Sequence, residues 1–204
     1  KYVVISIPAL AGKLPFPDFV DTIKTQPKEV MCTIGLALSY LDSDRQLVST
    51  FPHFVDLEPM TALVEIRSGT VGQLVCIEGY VTKVAPYKPL ILSGGFQCAT
   101  CLGVSWSHFD DGIFEQLSVC KMPNCRSRSL ELQRPNVRTT DYQVIKIQEI
   151  DNSGDHSGTM PRTLDVEVRS SLVDRCIPGD VVRIVSVVRA MQTEAPRSTH
   201  GKNK

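Results

Sequence analysis

Cys98-Ala-Thr-Cys101 and Cys120-Lys-Met-Pro-Asn-Cys125, separated by residues 102–119, govern the interpretation of everything around them. One such pair is ambiguous. Two pairs at this separation can wrap a single tetrahedral ion, each supplying two sulfurs from a tight turn. Four thiolates saturate zinc and leave no position for a reactive water, so the expected role is structural. A redox role for Cys98 and Cys101 needs a thioredoxin-like βαβ context, and none is visible. His108 lies between the pairs and could replace one cysteine as a ligand, but an isolated histidine is more often an ordinary surface group.

Outward from the cysteines the sequence is strand-like. Val75, Ile77 and Val81 alternate around Gly79, and a glycine within a strand suits the bend of a barrel wall. Pro86 and Pro89 are expected to end that strand, and Gly94-Gly95 to turn into the first cysteine pair. Beyond the second pair, Ile145, Ile147 and Glu149 share one face, and Leu164, Val166 and Val168 alternate with charged residues. Ser170 to Cys176 is expected to be a short helix ended by Pro178-Gly179, with a final strand from Val181 to Arg189. The fold class expected is α+β, mainly β: an OB-fold barrel with an inserted zinc-ribbon arm and an N-terminal helical subdomain. In that subdomain Lys1 to Ile7 is a strand, Pro17-Asp18 starts a short helix, and Pro27 starts a longer one. Val30, Ile34, Ala37, Leu38 and Leu41 give the longer helix its apolar stripe.

At 204 residues the chain is long enough for a full core. Lysine plus arginine (22) equals aspartate plus glutamate (22), which excludes a protein coated in positive charge. Any nucleic-acid partner must meet basic groups gathered on one surface. Of the seven cysteines, Cys32, Cys76 and Cys176 stand alone in apolar surroundings and are expected to be reduced core residues. With no signal-peptide pattern and no Asn-x-Ser/Thr acceptor, an intracellular compartment is the expectation. The stretch Val30 to Leu41 is too short to span a bilayer. No G-x-x-x-x-G-K-[ST] loop or G-x-S-x-G elbow occurs, so these residues are not expected to hydrolyse nucleotide or ester, and no catalytic residue is assigned. Asp151 to Asp155 resembles a calcium loop only faintly, because His156 and Arg162 replace its glycine and glutamate.

Lys83 and Lys88 flank a bend, with Tyr80 and Tyr87 beside them. They can follow a phosphate backbone while a ring stacks on a base. On spacing alone, two solvated lysines on a barrel rim is the stronger reading. Arg126, Arg128, Arg134 and Arg138 are by the same standard a solvated surface.

Three longer strings change that balance: Asp141-Tyr-Gln-Val-Ile-Lys-Ile-Gln-Glu149, Met160-Pro-Arg-Thr-Leu-Asp-Val166 and Leu172-Val-Asp-Arg-Cys-Ile-Pro-Gly-Asp-Val-Val182. With the Gly-x-Val-Thr and Phe-x-Cys-x-x-Cys elements between Gly79 and Cys101, they resemble the N-terminal domain of the minichromosome maintenance (MCM) helicases across residues 27 to 190. Glu29 to Leu38 and Phe51-Pro-His53 are most similar to the eighth paralogue, which pairs with the ninth in recombination repair and meiosis.

The resemblance implies a helical subdomain at 1–50, an OB-fold at 51–95 and 131–204 with its last strand missing, and a zinc subdomain at 96–130. It implies nuclear localisation and a homo- or hetero-hexameric ring around DNA, in which zinc arms meet neighbouring subunits. Lys83 and Lys88 take the place of the family's basic pair for single-stranded DNA, which favours the binding role over the bland one; duplex DNA is left open. Glu149, Asp151 and Arg162 belong to a loop that couples to the ATPase motor. Arg197, Lys202 and Lys204 belong to a channel hairpin. Zn2+ is the implied structural cofactor, and ATP with Mg2+ belongs to a motor absent from these residues. Two departures stand out: Leu102 precedes Gly103 where a glycine often follows the first pair directly, and the sequence stops where the hairpin returns. The chain is therefore taken as a fragment of a larger helicase. The competing readings are a non-motor single-strand binder like replication protein A, and a zinc-stabilised interaction scaffold.

Overall fold

A computed structural model describes residues 2–41, 51–109, 114–150 and 160–191. They divide into two units, one combining residues 1–79, 149–162 and 182–204, the other residues 80–148 and 163–181.

In the first unit, β1 (Tyr2–Ser6) runs parallel to β2 (Phe51–Val55), with Tyr2 opposite Phe51 and Ser6 opposite Val55. Three helices follow β1: α1 (Ile7–Ala11), α2 (Phe19–Thr25) and α3 (Pro27–Leu41). Pro27 opens α3, where a missing N–H has no intrahelical partner to lose. Ile7, Ile23, Phe54, Leu57, Leu74 and Cys76 form the core, and Val30, Met31 and Ile34 bring one face of α3 against it. The expected stripe is thus correct at its start. Ala37 is exposed, however, as are Leu36 and Tyr40, because the helix meets the core only along its first turns. Cys32 is exposed rather than buried, since it lies on the side of α3 away from Val30 and Ile34. Cys76 is buried and Cys176 half-buried, and no disulfide forms.

The larger sheet contains β3 (Leu74–Val84), β4 (Lys88–Cys98), β5 (Val104–His108), β6 (Leu130–Glu149) and β8 (Val181–Val187), in the order β5-β4-β6-β3-β8; β7 (Thr163–Arg169) also pairs with β6. β6 is the spine of the second unit. It is antiparallel to β4 from Leu130 (opposite Cys98) to Tyr142 (opposite Lys88), and to β7 from Tyr142 to Gln148. Ile145 and Ile147 are buried, as their alternation requires. The chain is mainly β, as expected.

Three local expectations fail. Gly94-Gly95 makes no turn; both residues are buried inside β4. A Cβ on Gly94 would stand 2.7 Å from Leu132 Cδ1, and one on Gly95 3.0 Å from Asn136 Cβ. These glycines permit close packing at a place where the β4–β6 register shifts, between Gly94 and Phe96. Pro89 does not end a strand but is the second residue of β4. Ser170 to Cys176 holds only one 3-10 turn, Ser170–Leu172, bounded by left-handed backbone at Ser170 (φ 54°) and Asp174 (φ 57°) that stops a helix from continuing. Among the described residues no helix is long and apolar enough to cross a membrane.

Candidate metal centre and nucleic-acid interface

Cys98 is the last residue of β4, and the chain turns at once. Leu102 N–H donates to the Cys98 carbonyl (3.0 Å), and Cys98 N–H donates to the Gly103 carbonyl (3.0 Å). The second turn is closed by Cys125 N–H to the Met122 carbonyl (3.2 Å) and braced by Cys120 N–H to the Ser127 carbonyl (2.9 Å). The two turns bring Cys98, Cys101, Cys120 and Cys125 together, with all four sulfurs within 4.8 Å of one another. Cys98 Sγ lies 3.8 Å from Cys125 Sγ, and Cys101 Sγ lies 3.7 Å from Cys120 Sγ. The sulfurs of a zinc tetrahedron with bonds of about 2.3 Å stand about 3.8 Å apart. Disulfide bonding would need about 2.05 Å. The donor set therefore fits zinc. His108, exposed at the end of β5, is not in the group.

Amide groups favour the thiolate form at the mouth of each turn. Thr100 N–H points at Cys98 Sγ (3.4 Å) and Met122 N–H at Cys120 Sγ (3.5 Å). The Cys101 and Thr100 amides draw the Cys98 thiol down to about 6. Cys101 is drawn down by the Gly103 amide, but burial and the neighbouring thiols outweigh it and hold Cys101 at about 12. Four sulfurs this close cannot all carry charge by themselves; a dication removes the conflict by neutralising them together. Phe96, Phe109, Leu130 and Leu132 pack around the cysteines.

The knuckle tolerates its missing glycine at a price in backbone conformation. Leu102 has φ 58°, the left-handed region that glycine usually fills. Gly103 is needed for a different reason: a Cβ there would meet Met122 Cγ at 2.7 Å.

Lys83 and Lys88 lie near opposite ends of a crossing. β3 and β4 are not neighbours; both flank β6. The segment between them passes over β6, with Ala85 N–H bonded to the Val144 carbonyl (2.9 Å) and Lys88 opposite Tyr142. Both lysines are exposed, as are Tyr80 and Tyr87. Beneath them is a residue to which sequence reasoning assigned no role. Gln143 is 2% exposed; its amide N–H groups donate to the Ala85 carbonyl (2.9 Å) and Asp174 Oδ1 (2.8 Å). Its Oε1 accepts from Asp174 N–H (2.9 Å). A polar residue amid the alternating Val144-Ile145-Lys146-Ile147 was the available signal. Arg126, Arg128, Arg134 and Arg138 are all exposed.

Glu149 N–H donates to the Arg162 carbonyl (3.0 Å), so these two residues pinch the base of the loop expected there. Asp151, Arg197, Lys202 and Lys204 lie outside the described residues.

Residues 62–192 match the family model described as the MCM OB domain. The chain belongs to the MCM family. It is 36% identical over 213 residues to "DNA helicase MCM8" of Gallus gallus, covering 92% of this chain and 26% of that protein. It is 30% identical over 203 residues to "DNA helicase MCM8" of Mus musculus, covering 87% and 24%. To "Probable DNA helicase MCM8" of Arabidopsis thaliana it is 30% identical over 180 residues, covering 84% and 22%. This MCM chain thus spans about a quarter of the length of the curated relatives it matches. It is an MCM N-terminal domain of the MCM8-like type.

Proposed function

We propose that this MCM chain is the DNA-binding and ring-forming N-terminal domain of an ATP-dependent hexameric DNA helicase. Its place is in the nucleus, in homologous-recombination repair or replication, with other MCM subunits as partners and the ninth paralogue as the specific one. The observation that carries the DNA-binding role is the pair of exposed lysines, Lys83 and Lys88, tethered to one stretch of β6 by the Ala85–Val144 and Lys88–Tyr142 pairings. Zero net charge requires few, well-placed phosphate contacts, and a ring multiplies them. The four-cysteine centre holds structural zinc and the arm at 96–130 that approaches neighbouring subunits. The helical part at 1–50 and the OB parts at 51–95 and 131–204 complete the organisation. Glu149, Asp151 and Arg162 serve the loop that meets the motor; Arg197, Lys202 and Lys204 serve a channel hairpin.

Substituting Lys83→Ala with Lys88→Ala tests the reading. Single-stranded DNA binding should weaken, and the slope of log affinity against log salt should flatten by about one to two contacts' worth. Circular dichroism should be unchanged. An unaltered slope removes the lysine pair from the interface.

A further inference from the structure

The protein has one tryptophan, and it is not in a core. Trp106 is 48% exposed in the middle of β5, the edge strand of the larger sheet. The packed cluster around the cysteines is complete without it. Scattered exposed apolar residues need no explanation, but the surroundings of this one are unusual. Its cross-strand partner on β4 is Gly95, so no side chain from that position covers the indole. The space over Gly95 on this face is taken by Val104 and Asn136, so their side chains border the ring on that side.

The charge on this face is also ordered. His108 and Arg138 both pair with Ser93, from opposite sides, so all three project to the face that carries Trp106. Arg138 is exposed, and among the described residues no ion pair engages it. Glu131, opposite Gln97, is an acid on the same face among the described residues, and it stands at the cysteine end, on the far side of Trp106 from Arg138. An exposed ring on β5 and a guanidinium on β6, on the same face across β4, suit a base and a phosphate of one strand.

We propose that Trp106 is a stacking platform for an unpaired DNA base, with Arg138 holding the adjoining phosphate. The site rests on the DNA-binding role above and adds a contact on the arm, separate from Lys83 and Lys88. An aromatic face tolerates any base, so recognition here is of single-strandedness rather than sequence.

The lone indole supplies its own readout. The chain is titrated with a labelled oligothymidylate, following label anisotropy and tryptophan emission together. Emission should be quenched with the same midpoint as the anisotropy rise. Trp106→Ala should weaken binding about ten-fold, Trp106→Phe should keep most of the affinity, and neither should change the salt slope. Arg138→Ala should lower that slope by about one contact. Anisotropy rising while emission stays constant, or full affinity in Trp106→Ala with its zinc retained, overturns this site and leaves the Lys83–Lys88 reading standing. Emission that follows protein concentration without DNA assigns the face to contact between copies and overturns the site as well. No anisotropy change at any salt overturns both readings.

Discussion

At the scale of single residues, Leu102 is the most testable. Its φ of 58° costs a leucine about 1–2 kcal/mol, and its side chain is 69% exposed, so little packing is gained in return. Leu102→Gly should raise the stability of the zinc-loaded arm by about 1 kcal/mol after the greater freedom of glycine in the unfolded chain is deducted. A thermal or denaturant midpoint that fails to rise would show that the leucine makes a compensating contact. Cysteine spacing made the four-sulfur cluster legible, because two short turns at that separation can share one ion. Cys32 was misread because apolar neighbours in sequence do not specify which side of a helix a residue occupies.

The element that explains most is the crossing between β3 and β4. Gln143 ties the Ala85 turn to the Asp174 turn with three hydrogen bonds from a buried amide. Gln143→Leu keeps the volume and strands those partners, which costs about 1–3 kcal/mol for each group left without a replacement. The segment joining Lys83 to Lys88 should then lose hydrogen-exchange protection at Ala85, and DNA affinity should fall although both lysines remain. Normal protection at Ala85 in the variant would refute the clamp. Periodicity revealed β3, β6 and β7; burial alternates along β7 and the second half of β6, whereas the first four residues of β3 are all buried. It missed the role of Gly94-Gly95, because glycine marks both turns and close approach, and only tertiary packing distinguishes them.

For the whole molecule, two clusters among the described residues have different supports and predict a split response to metal loss. The first unit is held by Ile7, Ile23, Phe54 and Leu74. The arm's core includes Cys98 and Cys120 themselves. A strong chelator should therefore abolish exchange protection around residues 98–130 while Ile23 and Phe54 remain protected. Acid should act in the same direction. A thiol held down near 6 contributes stability above its ordinary pKa of 9.0, and that contribution declines as pH falls and is lost on passing through 6. Protons also displace the metal. Simultaneous loss of protection in both units would contradict this division.

β6 faces Cys98 with Leu130 and Lys88 with Tyr142. The twelve steps of β6 between them answer ten of β4, the surplus falling at two register shifts, so about 33 Å of shared strand separates the two sites. Adding a single residue after Thr140, where pairing is regular, would leave each end chemically whole but invert one relative to the other; adding two would restore the handedness and change only the reach. Such a pair of insertions turns the strand into a ruler for asking how far apart metal and phosphate contacts must sit.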